Sequence, residues 1–165
     1  MTPKPFAALE PADFEKTYTS SVTAAFESVR AARSALTAAN GASVVNIASM
    51  YGNVSPDARI YLKPEQQSPF HYGPAKAALI QLTRHLAAEL GPENIRVNAL
   101  VPGPFPKDDV AKSDPAFAQR LASKTMLGRT GAAGEIAGPL LFLASNASSF
   151  VTGAAIAVDG GWTAW

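Results

Sequence analysis

Ser43-Val-Val-Asn-Ile-Ala-Ser49 is a short apolar run typical of a buried strand, and Tyr72-Gly-Pro-Ala-Lys76 opens the apolar-periodic helix that follows it. A helix places Tyr72 and Lys76 on one face, about 6 Å apart along its axis. A nearby ammonium favours the phenolate form of a tyrosine, and the hydroxyl of Ser49 can hold a substrate oxygen against the same phenol. These side chains therefore predict acid/base chemistry on a carbonyl or an alcohol.

Alone, a tyrosine and a lysine at this spacing are more often a packed ring beside a solvated amine, but further segments accompany them. They are Asn46-Ile-Ala-Ser49, Asn94-Ile-Arg-Val-Asn-Ala-Leu-Val-Pro-Gly-Pro104, Gly128-Arg-Thr-Gly131 with Glu135-Ile-Ala137, and Gly153 with Val158-Asp-Gly-Gly161. In this order the segments resemble the C-terminal half of classical short-chain dehydrogenases/reductases. The resemblance covers nearly the whole chain, including residues 1 to 8, which match the middle of such a protein.

The resemblance implies an α/β, truncated Rossmann-like fold that lacks the N-terminal dinucleotide-binding half. Family members begin with a strand, a glycine-rich turn and a helix that bind the dinucleotide pyrophosphate. The nearest glycine cluster here, Gly128 to Gly134, follows a polar stretch instead of a buried strand, so it lacks the context of a phosphate-binding loop. We therefore expect NAD or NADP as the cofactor by resemblance, and expect that this chain alone does not bind it.

Hydrophobic periodicity and helix-ending residues predict one domain over residues 1–165 with a parallel sheet of about three strands and flanking helices. The predicted elements are a helix at 11–39, a strand at 44–47, a loop at 53–69, a helix at 72–90, a strand at 95–101, a lid at 104–130 with a short helix near 115–124, a helix at 133–144 and a strand at 154–158.

The resemblance also implies roles for individual residues. Tyr72 corresponds to the catalytic acid/base, Lys76 to the cation that lowers its proton affinity and holds the nicotinamide ribose, and Ser49 to the anchor for the substrate oxygen. The turn containing Pro102, Gly103 and Phe105 resembles the one against which the nicotinamide rests, provided that the missing half is supplied. For Asn46 and Asn98 we expect hydrogen bonds to the backbone at strand ends, and for Asp159-Gly-Gly161 a structural turn.

Three departures from the family pattern weaken parts of this assignment. Ser21 stands where the family has the asparagine of a proton relay, and Lys107 lies nearest the place of a threonine that meets the carboxamide. The stretch from Ser55 to Pro64 lengthens the gap between Ser49 and Tyr72 and is expected to form a flap over the pocket. Its side chains Arg59, Tyr61 and Lys63 could contact a polar or anionic substrate, although solvated surface charge is the more common use of such residues.

Composition excludes several classes of function. A net charge of +1 without a basic stripe implies neither nucleic acid nor an anionic membrane as partner, and 47% apolar residues suffice for a core. There is no cysteine, and His71 and His85 have no acidic partner at ligand spacing, so we expect no metal site. The first six residues contain no signal-peptide-like apolar run, which predicts a cytoplasmic protein.

Three functions remain open at this stage. The first is the catalytic half of an oxidoreductase that acts on a small-molecule substrate by hydride transfer. The second is a non-redox isomerase, lyase or cyclase that uses Ser49, Tyr72 and Lys76 without NAD(P), and the third is a non-catalytic oligomerisation module. A three-stranded sheet exposes an edge. We therefore expect a homodimer or higher homo-oligomer; the alternatives are a separate polypeptide that supplies the dinucleotide-binding half and a local rearrangement that covers the edge.

Overall fold

A computed structural model describes residues 3–165, without the side chains of Glu65 and Asp108, so residues 1 and 2 of the N-terminal stretch lie outside the described residues. The predicted α/β architecture is present. Three strands, β1 (Ser43–Ile47), β2 (Arg96–Pro102) and β3 (Ala155–Val158), form a parallel sheet in the order β1-β2-β3. The helices are α1 (Pro11–Tyr18), α2 (Ala24–Ala38), α3 (Tyr72–Leu90), α4 (Asp108–Ser113), α5 (Pro115–Ala122) and α6 (Ala137–Ala144).

The central strand β2 is buried on both faces, as expected for a parallel sheet covered by helices. Val97, Ala99 and Val101 point towards α3, where they join apolar clusters with residues of α2, α3 and the loop after β1. The alternate residues Arg96 and Asn98 point to the opposite face, which carries α6 and the segment that follows it. The sheet therefore lies between a pair of long helices and one short helix.

Strand β1 forms one edge of the sheet. Its only partner among the described residues is β2, with Val44 opposite Val97 and Ile47 opposite Leu100. The side chain of Ile47 is 47% exposed although it continues an apolar strand. The expected uncovered edge is therefore present in the described part of the chain.

The first predicted helix is interrupted, which the periodicity did not indicate. Residues Thr19–Thr23 form a turn of π-helix between α1 and α2, and the amide of Ala24 donates to the Thr19 carbonyl. Within this turn, the hydroxyl of Ser20 donates back to the Thr17 carbonyl of α1 at 3.2 Å. Hydroxyl side chains of this kind compete with the regular backbone ladder, so the local sequence Thr-Ser-Ser-Val-Thr supports the irregular turn.

The lid is more helical than predicted, because it contains α4 as well as the expected α5. Asp114 separates the two helices and accepts a hydrogen bond from the amide of Phe117 at 2.9 Å, which makes it the N-cap of α5. The predicted helix at 133–144 begins as a 3-10 helix over Ala133–Ile136 and becomes α-helical at Ala137. Short 3-10 turns also occur in the 53–69 loop.

The flap and the lid pack together into one cover. Ile60 of the flap is buried against Phe117 and Leu121 of α5 in a cluster that includes Trp162. The guanidinium of Arg120 donates to the Ile60 carbonyl at 2.8 Å. Lys124 Nζ of the lid also lies 3.1 Å from Asp57 Oδ2 of the flap, and just after the flap Gln66 Nε2 donates to Asp114 Oδ2 at 2.7 Å.

Candidate active site

The candidate residues meet at one edge of the sheet because parallel strands end on the same side. Ser49 follows β1, and the amide of the intervening Ala48 donates to the Leu100 carbonyl of β2 at 2.8 Å. Pro102 and Gly103 stand at the end of β2, and Asp159 follows β3. The first turn of α3 brings Tyr72 to this edge, as the sequence predicted. The carboxyl edge of a parallel sheet is the usual location for ligand binding in such folds.

Two glycines allow the turn after Ser49 to lie directly on α3. A Cβ atom at Gly52 would come within 2.9 Å of the Lys76 carbonyl carbon, and a Cβ atom at Gly73 would come within 2.8 Å of the Tyr51 carbonyl oxygen. Neither approach leaves room for a side chain. The turn is closed internally by the Gly52 amide, which donates to the Ser49 carbonyl at 2.8 Å. The two glycines thus fix the position of Ser49 relative to α3, the helix that carries Tyr72 and Lys76.

Tyr72 and Lys76 lie side by side on α3. The Lys76 ammonium is 5.6 Å from the centroid of the Tyr72 ring, within the range of a cation–π contact. It also donates to the carbonyl of Ile47, at the end of β1, over 2.8 Å. Partial burial lowers the pKa of Lys76. An ammonium carries three donors, so after the bond to Ile47 it can still donate to a ligand.

Ser49 is buried and adopts an extended backbone, and its hydroxyl accepts a hydrogen bond from the amide of Tyr51 at 3.2 Å. This contact holds the Ser49 side chain at the start of the turn. The structure thus brings together at the sheet edge all three residues that the sequence singled out.

Tyr51 is a residue of this site that the sequence reasoning did not single out. Its hydroxyl is hydrogen-bonded to that of Tyr61 in the flap, and its ring packs edge-on against Trp162 at 6.4 Å between centroids. Burial, followed by the hydrogen bond to Tyr61, raises the pKa of Tyr51, and burial also raises that of Tyr61. Both phenols are therefore neutral at physiological pH. The position of Tyr51 two residues after Ser49 was the only sequence signal.

The turn at the end of β2 is held rigidly. The Gly103 amide donates to the Val158 carbonyl at 2.9 Å, and an added Cβ at Gly103 would lie 2.5 Å from the Asp159 Cα. The ring of Phe105 packs directly on Gly131, whose amide donates to the Pro104 carbonyl at 3.0 Å. Pro102, Gly103 and Phe105 are each partly exposed. The predicted nicotinamide turn therefore presents a fixed surface at the same edge as Ser49.

The structural roles expected of two polar residues are confirmed. Asn98 donates to the Val151 carbonyl at 2.8 Å and accepts from the Ala154 amide at 3.0 Å, which ties β2 to the segment before β3. Asp159 accepts from the backbone amides of Gly161 and Thr163 in the turn after β3.

The prediction for Asn46 was wrong. Its amide donates to the Thr83 hydroxyl at 2.9 Å instead of to the backbone, because Thr83 faces it from α3.

The flap charges do not point to a substrate. Arg59 forms a bidentate pair with Asp57, and Lys63 lies 3.7 Å from Asp114, so both are ion-paired on the surface. Ser21 is half-buried in the π-helical turn, and Lys107 is exposed at the start of α4.

His71 is buried and its Nδ1 is hydrogen-bonded to Thr17 at 2.7 Å, whereas His85 is exposed. Across the described residues there is no cluster of three acidic or histidine side chains placed to hold a metal ion. Nor does any helix within residues 3–165 combine the length and the apolar character needed to cross a membrane.

The described residues fit the nicotinamide riboside of a nicotinamide dinucleotide but not its pyrophosphate. Lys76 and Tyr72 offer a cation and a hydroxyl suited to a ribose, beside the fixed turn at Gly103. In the described part of the chain, however, none of the three strands leads through a glycine-rich loop directly into a helix. The loop from Gly128 to Gly134 follows α5, and the Arg129–Glu135 ion pair crosses it at 2.7 Å. This loop therefore does not form a phosphate cradle.

Comparison with known proteins agrees with this geometry. A family model described as Enoyl-(Acyl carrier protein) reductase matches residues 1–163. Galactitol 2-dehydrogenase (L-tagatose-forming) of Cereibacter sphaeroides is 41% identical over 142 residues, which are 85% of this chain and 53% of that protein. The 3alpha-hydroxysteroid dehydrogenase of Mediterraneibacter gnavus is 38% identical over 155 residues, 94% of this chain and 58% of that protein.

Solved structures show the same relationship. A short-chain dehydrogenase from Leptospira borgpetersenii with bound NAD+ superposes with a TM-score of 0.85 at 30% identity, over 99% of this chain and 61% of that one. A gluconate 5-dehydrogenase from Burkholderia cenocepacia, in complex with NADP and tartrate, gives a TM-score of 0.83 at 29% identity, over 99% and 61% respectively. The chain spans about half the length of the relatives named above. It belongs to the short-chain dehydrogenase/reductase family.

Proposed function

We propose that this chain is the catalytic half of an oxidoreductase that interconverts an alcohol and a carbonyl by hydride transfer. The observation that carries the proposal is the meeting of Ser49, Tyr72 and Lys76 at the carboxyl edge of the sheet, beside the fixed turn at Gly103. Tyr72 gives a proton to the carbonyl oxygen during reduction and takes it back during oxidation. The hydroxyl of Ser49 hydrogen-bonds the same substrate oxygen and orients it towards the phenol.

Lys76 stabilises the phenolate that forms when Tyr72 gives up its proton. Its ammonium lies against the Tyr72 ring and is anchored by the Ile47 carbonyl, so its charge is held in place before the reaction. When NAD(P) is bound, it accepts or donates the hydride. The remaining donors of Lys76, the Tyr72 hydroxyl and the surface of Pro102, Gly103 and Phe105 would hold its nicotinamide riboside.

The adenosine and pyrophosphate need a second part that supplies a strand, a glycine-rich loop and a helix. The uncovered edge of β1 supports this proposal because Ile47, which anchors Lys76, is its last residue. We propose one domain over residues 1–165 that is completed there by another polypeptide segment. The chain alone should therefore show no saturable quenching when NADH or NADPH is titrated by fluorescence in the micromolar range.

The test of the catalytic proposal is Tyr72→Phe, which removes one hydroxyl. Oxidation of secondary alcohols is followed by NAD(P)H absorbance, with the dinucleotide-binding segment present and with galactitol and a 3α-hydroxysteroid among the substrates. Turnover should fall by roughly two to four orders of magnitude. Tyr18→Phe is the matched control, because Tyr18 is an exposed tyrosine on α1. Full turnover by Tyr72→Phe, with unchanged circular dichroism, would show that the phenol is not the acid/base.

We also propose that the chain forms a homodimer or a higher homo-oligomer. Phe14 and Phe26 are 37% and 42% exposed on α1 and α2, so each helix presents a large apolar side chain that a second copy would cover. Light scattering at low micromolar concentration should give at least twice the monomer mass. A monodisperse monomer at that concentration would contradict this part of the proposal.

A further inference from the structure

A cleft of about 610 Å³ lies next to the candidate active site but does not include its catalytic hydroxyls. Neither Ser49 nor Tyr72 lines it, whereas Tyr51 and Gly73, their near neighbours in the chain, do. The walls come from five segments: the N-terminal residues Pro3–Phe6, the turn at 51–54, the flap, the segment at 67–70, and the first turns of α3. A volume of this size is typical of a site for a small molecule.

The lining is mainly apolar. Phe6 and Phe70 pack edge to face at 5.4 Å between centroids, and the other walls include Val54, Ala58 and Ala77. Among the described residues, Lys4 is the one cationic side chain in the lining, and its ammonium is paired with Asp13 at 2.7 Å. An anionic ligand would therefore lose its hydration without gaining a dedicated counter-charge.

Apart from Lys4, the polar side chains that line the cleft carry no charge; they belong to Tyr51, Asn53, Ser55, Tyr61, Gln67 and Ser68. Tyr51 and Tyr61 both line it, and their hydroxyls are hydrogen-bonded to each other. Burial keeps both phenols neutral, since it raises both pKa values. A pair of hydroxyls uses one proton in its mutual bond, so a second proton and several lone pairs can serve a ligand.

The geometry points to a binding site for a neutral, mainly apolar cyclic alcohol or ketone, whose rings contact the aromatic and proline walls and whose oxygen bonds the Tyr51–Tyr61 hydroxyl pair. This goes beyond the proposed function because no catalytic hydroxyl lines the cleft. If the ligand is the body of the substrate, the inference rests on the proposed function; if it is a separate molecule, it does not. Its contact with Tyr51 and Gly73 would act on the turn that holds Ser49.

The binding test uses 2-naphthol, a neutral bicyclic alcohol, with 2-naphthalenesulfonate as its anionic counterpart, in isothermal titration calorimetry on the purified protein. We expect saturable binding of 2-naphthol with a Kd on the order of 10–300 µM. We expect at least tenfold weaker binding of the sulfonate. Ala77→Phe should weaken 2-naphthol binding at least tenfold because the new ring occupies the cleft.

Ala88→Phe is the matched control. It places the same ring on the same face of α3, about 16 Å further along the helix, at a residue that is also exposed. This variant should bind 2-naphthol as the wild type does. Equal weakening by both variants, or no saturable binding, would overturn the proposal. A third outcome would also overturn it: 2-naphthol does not bind, and Ala77→Phe changes the oligomeric mass whereas Ala88→Phe does not. That result would show that a second copy fills the cleft.

The hydroxyl pair is tested by comparing 2-naphthol with 2-methylnaphthalene, which has a methyl group in place of the hydroxyl. The double variant Tyr51→Phe/Tyr61→Phe removes both hydroxyls together. In this variant the preference for 2-naphthol over 2-methylnaphthalene, measured as the ratio of their Kd values, should fall by about three- to tenfold. An unchanged ratio would refute the role of the pair. In turnover assays, competitive inhibition by 2-naphthol would identify the ligand as the substrate body, and a change in kcat alone would identify a separate ligand.

Discussion

The contact between Gly52 and α3 leads to a quantitative prediction for Gly52→Ala. The new Cβ would lie 2.8 Å from Ile80 Cδ1, 2.9 Å from the Lys76 carbonyl carbon and 3.0 Å from the Ala77 amide nitrogen. The isoleucine methyl can rotate away, but the two backbone atoms cannot. Because carbon atoms in ordinary contact are about 3.5–4.0 Å apart, the turn must retreat from the helix by roughly 0.6 Å or more.

This retreat should affect both stability and activity. Overpacking of this kind costs about 1–3 kcal/mol in the free energy of unfolding, which corresponds to a decrease in Tm of about 3–10 °C for a chain of this size. Ser49 begins the same turn, so the substrate oxygen would also be misplaced, and turnover should fall by up to about 10²-fold. Thermal unfolding by circular dichroism measures the first effect, and the alcohol oxidation assay measures the second.

Gly134→Ala is the control for the substitution itself. An added Cβ at Gly134 has no neighbour within 4 Å, and the residue lies in a helical turn. This variant should be as stable as the wild type or more stable by about 0.4–1 kcal/mol, because alanine restricts the unfolded chain. If Gly52→Ala melted at or above the wild-type temperature, the inference that close packing against α3 positions Ser49 would be wrong.

Three further substitutions test other contacts. Asn98→Leu removes two buried hydrogen bonds to backbone groups, so urea denaturation should show a loss of about 2–4 kcal/mol, and a loss below about 0.5 kcal/mol would refute the structural role. Asn94 has a φ of 60°, so Asn94→Ala should lower the stability by about 1 kcal/mol while Asn94→Gly should not; equal Tm values would contradict this. Hydrogen bonds from Arg59, and then from Lys124, hold the pKa of Asp57 well below its usual range. The stability that this carboxylate contributes is therefore fully present above the ordinary carboxyl pKa and is lost only as the pH falls through the lowered pKa. Protection of the flap against proteolysis should therefore persist from pH 7 to about 4 in the wild type and be reduced throughout in Asp57→Asn; early loss in the wild type would refute it.

The sequence predicted those parts of the fold that depend on local periodicity. The strand at residues 44–47 and the helix from Tyr72 to Leu90 were located correctly, because a short run of β-branched apolar residues and a helix-ending Gly91-Pro92 are local signals. The π-helical turn at Thr19–Thr23 gave no such signal, since the apolar residues Tyr18, Val22 and Phe26 continue across it at intervals of four.

Long-range packing explains what sequence reasoning missed in the site. Ile60 lies in a segment that the sequence identified only as a proline-interrupted loop, yet it is 3% exposed because α5 covers it. Tyr51 was overlooked for the same reason, since its partners Tyr61 and Trp162 belong to distant parts of the chain. The flap charges Arg59 and Lys63 were correctly regarded as surface charges, because oppositely charged residues are close by.

The arrangement of Lys76 connects the candidate chemistry to the open edge of the sheet. Its ammonium is fixed by the carbonyl of Ile47, the last residue of the edge strand, and the same Ile47 side chain is half exposed. A strand paired with the free edge of β1 would bury that side chain and exclude water around the carbonyl. Because Coulombic interactions strengthen as water is excluded, the same pairing would increase the effect of the Lys76 charge on Tyr72. Completion of the sheet would then do more than supply a dinucleotide site, since it would also strengthen the acid/base unit that the chain already holds.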